Sequence, residues 1–421
     1  MRSTTVVQLL LGLCVLATNL STENGSFVAA ASKRRRAGYV DLDDDDDDDR
    51  DLERARRRRN RVRGTSGVII GGGDNDDDDD YAYRLHGKQS SEPGAPMKAV
   101  QVVEFGEPET ALKFTEVKIP EVGPTQVLVQ IFAAGVNPVE TYIRSGKYHK
   151  HPSLPYIPGN DGAGVIRRVG SDVTQWEAGM RVWINTAVTG TYAQFAVAEQ
   201  DQVAILPHFL SYQQGAAVSV AYRTAYKALV TRGNLQAGQS VLVHGGTGGV
   251  GIAAIHLAKL YGASPVYATA GTEDGRKLLL RNGADWVFNH RNANYLDEIA
   301  NEHPAGIDLI VEMLANVNLG EDLKLLGKNG IVTVVGSRGE VTINPRDLMV
   351  QSSQIRGVLG GTPLEEQQVF QGVKSAIASR AFEPVVGVGL MLDKAAEAHR
   401  EVLDHKHTGG GAMGKVVLLP F

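Results

Sequence analysis

Residues 241–251 read Val241-Leu242-Val243-His244-Gly245-Gly246-Thr247-Gly248-Gly249-Val250-Gly251. Three β-favouring apolar residues lead into a glycine-rich turn, and the turn opens an apolar helical pattern, Val250–Tyr261. A dinucleotide pyrophosphate binds where backbone N–H groups at a helix N-terminus are left bare, and side chains at those positions would keep it away. Gly248, Gly249 and Gly251 leave that approach open and let the helix pack closely on its sheet. A glycine-rich loop without a ligand is the competing reading. The flanking strand and helix weigh against it, and so do the units that follow.

Working outward, the chain alternates. Strand Pro265–Thr269 precedes helix Glu273–Asn282, and strand Trp286–Phe288 precedes helix Tyr295–Glu302. Strand Ile307–Val311, helix Asn318–Leu326 and strand Gly330–Val335 complete the pattern. Such βαβ repetition predicts an α/β fold with a doubly wound parallel sheet of Rossmann type, assigned to residues 220–354. Ala216–Leu229 reads as a buried helix leading into it. Ahead of it, Met97–Phe105, Gln126–Ala133, Val165–Val169 and Met180–Ile184 read as short strands. Gly123-Pro124, Asn137-Pro138 and Pro158-Gly159 punctuate them. This predicts a compact β-rich domain over residues 97–219. Residues 355–421 are mixed, and the run Lys415–Leu419 reads as a strand returning to the first domain.

The second strand of the repeat indicates which dinucleotide is bound. NAD-binding chains carry an acid about 20 residues after the glycine turn, at that strand's end. Here the strand ends Ala270-Gly271-Thr272, with Glu273 and Asp274 late and Arg276 and Lys277 just behind. Glycine at the strand end and cations on the next helix leave room for a 2′-phosphate. This favours NADPH, with Lys277 as a candidate phosphate ligand.

The 421 residues carry a formal charge of −5, 43% apolar and 22% charged residues, which gives no reason to expect nucleic acid as the main partner. The single cysteine, Cys14, excludes an intramolecular disulfide, a Cys-based zinc site and a cysteine nucleophile in the body. Residues 1–31 read as a signal segment, with Arg2 ahead of the apolar run Val6–Ala17 and small residues at Ala29–Ala31. Residues 32–96 form a charged leader: Lys33–Arg36, Asp43–Asp49, Arg54–Arg63 and Asp76–Asp80 cannot bury apolar surface and read as disordered. His149 and His151, like His405 and His407, lack a nearby third ligand and read as surface loops, so no metal is assigned.

Several strings are specific enough to carry a resemblance. Gly135-Val136-Asn137-Pro138-Val139-Glu140-Thr141-Tyr142-Ile143-Arg144-Ser145-Gly146 closely resembles the zinc-free quinone oxidoreductases of zeta-crystallin type. So do residues 241–251, Val287–Arg291, Glu312–Asn318, Val335–Arg338 and Ile343–Asp347, and the similarity runs from Met97 to beyond Lys415. It implies a medium-chain dehydrogenase/reductase, with a GroES-like catalytic domain built from both chain ends around a Rossmann domain. It implies hydride transfer from NADPH to a quinone without zinc. Positioning and a dry cleft matter more to that reaction than a nucleophile. By matched positions the cofactor would touch Tyr142, Thr247, Gly248, Gly249, Val250, Gly271, His290, Asn318, Val335, Gly336, Ser337, Arg338, Val358, Leu359 and Gly360. Tyr142 and Asn137 are the candidate catalytic polar groups, bonding the carboxamide or a substrate oxygen. For Asn137 a purely structural turn role weighs equally. The resemblance also implies a homo-oligomer, dimer or tetramer, and a cytoplasmic location, whereas residues 1–31 imply the secretory pathway. The sequence departs from the family at the glycine-rich Val358–Gly361 and the lengthened His405–Met413, and residues 1–96 have no counterpart in it. Two other readings stay open: reduction of an activated alkenal, enone or enoyl-thioester double bond, and an AU-rich RNA-binding or structural crystallin role.

Overall fold

The computed structural model describes residues 68–70, 90–404 and 413–421. Val6–Ala17, the charged blocks and His405–His407 lie outside the described residues. No helix among the described residues is long and apolar enough to cross a membrane.

A six-stranded sheet runs in the order Trp286–Phe288, Val266–Thr269, Val241–Val243, Ile307–Glu312, Leu326–Val334, Gln354–Gly357. Every neighbouring pair is parallel. Chain order reverses between Val241–Val243 and Ile307–Glu312, and ligands bind at such a switch point in open α/β sheets. Val241, Leu242 and Val243 are all fully buried. That is why this strand is continuously apolar instead of alternating: helices cover both of its faces.

The catalytic lobe is an eight-stranded sheet centred on the long strand Gln126–Val136. That strand pairs antiparallel with Asp161–Val169 and Phe195–Glu199. Lys415–Leu419 joins it antiparallel, Val417 opposite Gly135, and lies parallel to Val386–Met391. A hairpin of Pro96–Val102 and Leu112–Lys118 packs alongside. Val68–Ile70, within the segment read as a charged leader, is an extended strand antiparallel to Val386–Met391.

The fold class expected from sequence matches, with local departures. The single helix expected over Ala216–Leu229 is divided into Tyr212–Ala216, Ser219–Tyr226 and a π-helical turn, Lys227–Arg232. Lys227 of that turn is buried, with Nζ bonded to Glu366 of helix Pro363–Ala378. Tyr226 packs so closely on this helix that a Cβ at Gly372 would collide with its ring. The helix expected at Asn318 begins at Ala315, and the strand after it begins at Leu326.

Two buried histidines make the fold acid-sensitive. Both ring nitrogens of His256 are bonded, Nδ1 to the Tyr222 hydroxyl and Nε2 to Asn282 Oδ1, each at 2.9 Å. Burial holds this imidazole down at about 4. His399 is fully buried against the Tyr192 ring, with neither nitrogen bonded to a described residue, and burial lowers it to about 3. Both lie below the unfolded value of about 6.5, so the unfolded chain binds protons more readily at mildly acid pH. The stability they confer is complete above about pH 6.5 and is lost as pH falls towards the folded values, by about 2 kcal/mol each at pH 5. A melting-temperature series should therefore fall steadily from pH 6.5 to 4.5, and His399→Leu should fall less steeply than wild type.

Candidate active site

The glycine turn sits at the switch point, at the N-terminus of the twelve-residue helix Gly249–Leu260. Its glycines have different tasks. Gly245 takes the left-handed conformation (φ +58°), which favours glycine. A Cβ on Gly251 would lie 2.5 Å from Gly246 O, and one on Gly246 would lie 2.8 Å from a Leu279 methyl. These two serve helix packing. A Cβ on Gly249 would meet only Lys415 Cδ at 3.5 Å and Ala221 Cβ at 3.6 Å, ordinary contacts. The protein does not need glycine at Gly249, but a phosphate approaching the first helical turn does.

The other matched positions lie in the segments that follow the successive strands of this sheet. Gly271 lies two residues past strand Val266–Thr269, and a Cβ there would lie 2.7 Å from both His290 Nε2 and Arg291 Nε. Burial, then the charges of His244 and Arg291, lower the His290 pKa. Gly336 is pressed on Met313, whose carbonyl would lie 2.6 Å from an added Cβ, and the Gly336 carbonyl accepts from Ala315 N–H at 2.9 Å. The Asn318 amide donates to both Glu312 oxygens, at 3.1 and 3.2 Å. Thr247, Gly248 and Val250 are half-buried, as is Val335, and Ser337 and Arg338 are exposed. Val358 is buried, Leu359 is 79% exposed, and Gly360 has φ +81° in open space. Lys277 is an exposed helix residue paired with Glu273 at 2.7 Å, one turn back.

Asn137 lies in a buried polar network of the catalytic lobe. Its amide nitrogen donates to Glu140 Oε1 (3.1 Å) and Asp161 Oδ2 (3.0 Å), and its oxygen accepts from Lys415 Nζ. Lys415 also donates to Asp161 Oδ2 at 2.5 Å, and Asp161 Oδ1 accepts from Val220 N–H at 3.0 Å. Glu140 accepts from the backbone N–H of Asn137 and Asn160 and from the Tyr192 hydroxyl. Burial, then the Asp161 charge, raises the Glu140 carboxyl. Every polar atom of the Asn137 side chain is thus engaged within the protein. Gly135 is glycine because Ala216 O, Lys415 and Asp161 all crowd it. Tyr142 differs: it is half-buried, and its hydroxyl bonds to no described residue.

Lys415 is the first residue of strand Lys415–Leu419, and just before it Gly414 N–H donates to Thr247 O at 2.8 Å. The catalytic sheet therefore touches the nucleotide turn directly. Beneath the turn, His244, Glu312 and Asp322 form a fully buried cluster, with His244 Nε2 3.0 Å from Asp322 Oδ1. His149 and His151 are not part of it; His151 packs on the Phe105 ring. Sequence reading gave no role to Asp161, Lys415, Asp322 or Glu140. The available signal was a lone lysine heading the apolar run Val416–Leu419, a position where an unpaired cation is costly.

Residues 123–229 match the family described as "Alcohol dehydrogenase GroES-like domain", and residues 249–376 match "Zinc-binding dehydrogenase". The chain is 47% identical over 326 residues to the quinone oxidoreductase of Homo sapiens, covering 77% of this chain and 98% of that protein. It belongs to the quinone oxidoreductase family. Solved structures of the same superfamily superimpose on it. A mycobacterial protein complexed with NADPH gives a TM-score of 0.67 at 28% identity, covering 77% of this chain and all of the other. A quinone oxidoreductase of Pseudomonas syringae gives 0.66 at 25% identity, with the same coverage.

Replacing Gly249 with Val should abolish dinucleotide binding in a titration while leaving the melting temperature within a few degrees of wild type. Lys415→Met should do the opposite kind of damage. It strands the buried Asp161 carboxylate without its cation and should lower unfolding stability by roughly 3–5 kcal/mol in urea titrations.

Proposed function

We propose that the protein is an NADPH-dependent quinone reductase working without zinc. The observation that supports this best is a glycine-rich helix N-terminus at the switch point of a doubly wound sheet, in a chain 47% identical to a quinone oxidoreductase. When bound, NADPH supplies the hydride from its nicotinamide ring. This chain's residues bind and orient. The first N–H groups of helix Gly249–Leu260 take the pyrophosphate, and Gly336 and Asn318 shape the neighbouring wall. The Tyr142 hydroxyl, bonded to no described residue, is the group available to a substrate or carboxamide oxygen. Asn137 acts indirectly, by holding Lys415 and Asp161 in place. The Lys415 ammonium already neutralises Asp161 in the pocket, which supports a zinc-free site.

The cofactor preference rests on Gly271. No acid stands at that strand end, and His290 and the Arg291 guanidinium lie against it. Arg291, whose Nε would lie 2.7 Å from a Cβ on Gly271, is therefore the candidate ligand for a 2′-phosphate in place of Lys277. Loss of such a charge-assisted bond costs about ten- to a hundredfold in affinity. Arg291→Ala should weaken NADPH binding by that factor while sparing NADH, and Lys277→Ala should change either by less than about threefold. Equal binding of both cofactors by the wild type would remove the NADPH assignment. Steady-state assays with 1,2-quinones and with alkenals test the reaction itself. Quinone turnover with NADPH is expected, and alkenal turnover without quinone turnover would replace this reading with double-bond reduction.

A further inference from the structure

Three buried ionisable groups under the glycine turn are not explained by hydride transfer. His244 leaves the end of strand Val241–Val243, immediately before Gly245. Glu312 ends strand Ile307–Glu312, on the other side of the switch point, and Asp322 projects from helix Ala315–Leu325. His244 is 2% exposed and both carboxylates 0%. His244 Nε2 lies 3.0 Å from Asp322 Oδ1, yet neither of these atoms nor Asp322 Oδ2 has a well-directed hydrogen bond among the described residues. Two carboxylates and one imidazole enclosed together cannot all ionise cheaply, so the cluster must hold protons.

The cluster is joined directly to the nucleotide wall. Glu312 accepts from Leu314 N–H and from the Asn318 amide. Its backbone carbonyl accepts from Val335 N–H at 2.9 Å and from Gly336 N–H at 3.4 Å. His244 N–H donates to Val311 O at 3.1 Å, tying the two central strands together. One glutamate therefore fixes the two segments, Met313–Asn318 and Val335–Gly336, that the nucleotide reading places against the cofactor.

We propose that His244, Glu312 and Asp322 are positioning residues that couple dinucleotide binding to proton uptake: the anionic cofactor is held best when the cluster carries its extra proton. This rests on the proposed nucleotide site. Burial, and then the Asp322 charge, raises the Glu312 carboxyl to about 7, with His244 opposing it. His244 is itself raised: burial lowers it, but the Asp322 oxygen 3.0 Å away and the charges of Asp322 and Glu312 outweigh that. The remaining polar groups around the cluster do not supply a second cation at contact. Tyr295, edge-on to the His244 ring with centroids 6.4 Å apart, is raised to about 12 by burial and the nearby carboxylates, so it stays neutral. Glu321 adds negative charge from the exposed side of the Asp322 helix, and His290, lowered, stays neutral above it. Raising pH through neutrality therefore places a new negative charge below the site of the pyrophosphate.

The test is NADPH affinity, read by fluorescence titration between pH 6 and 8 on wild type and Glu312→Gln. Wild-type affinity should fall about three- to tenfold over that range beyond any change in the variant. Because both proteins meet the same cofactor, ionisation of the 2′-phosphate cancels in the comparison. Isotope-edited infrared spectra of the wild type should show a protonated carboxyl band at pH 6 that fades by pH 8. That reading does not depend on the variant folding; Asp322→Asn is a second variant, expected to shift the fall to lower pH. Identical pH profiles in wild type and Glu312→Gln, or no protonated carboxyl at pH 6, would overturn the coupling. A stoichiometric metal in the purified protein, lost in Asp322→Asn, would overturn it too. Failure of any dinucleotide to bind at any pH would instead remove the nucleotide site.

Discussion

The contact between Lys415 and Asp161 is the constraint on which much of the architecture depends. Asp161 is completely buried and receives bonds from Lys415, from Asn137 and from the backbone of Val220. Those three partners belong to the last strand of the catalytic sheet, the start of helix Pro138–Arg144, and the helix that leads into the nucleotide-binding lobe. One carboxylate thus fixes three parts of the chain together. A buried ion pair of this kind adds little net stability over an apolar substitute, because desolvation offsets the Coulombic gain. In the observed register, with Val417 opposite Gly135, the strand brings the lysine's charge to Asp161.

The same reasoning connects the two lobes. The Lys415 stem lies against Gly249, the first residue of the nucleotide helix, and Gly414 bonds to Thr247. The polar pocket of the catalytic lobe and the glycine cradle are therefore adjacent structures sharing a residue. A substrate in the cleft and a dinucleotide on the helix would each meet a wall supported by the other's lobe. Approach of donor and acceptor is the main requirement of hydride transfer, and in the proposed reaction the Gly414–Thr247 bond would hold the two lobes together for it.

The fold was legible where chemistry is local. Val241–Gly251 identified itself because strand, turn and helix are consecutive and each has its own residue pattern. The parallel sheet followed from repetition of that unit. Short strands such as Phe195–Glu199 and the edge strand Gln354–Gly357 escaped notice because four or five residues give little periodicity. The division at Lys227–Arg232 escaped notice because its cause, the bond from Lys227 to Glu366, comes from 139 residues away. The candidate site divides along the same line. The cradle glycines were visible, whereas the partners of Asn137, Asp161 and Asp322 are set by tertiary contact. Charged side chains carry no period that names their partners.

The position of Lys415–Leu419 also bears on how the molecule is made. Lys415 meets Asn137 across 278 residues of chain. A ribosome adds roughly 5–20 residues per second, so strand Gln126–Val136 waits on the order of tens of seconds for the strand that covers its open edge. During that interval the nucleotide-binding lobe is synthesised and is free to fold, while the catalytic sheet presents unpaired backbone to its surroundings. The nascent lobe thus depends on protection from other chains before it can depend on its own lysine.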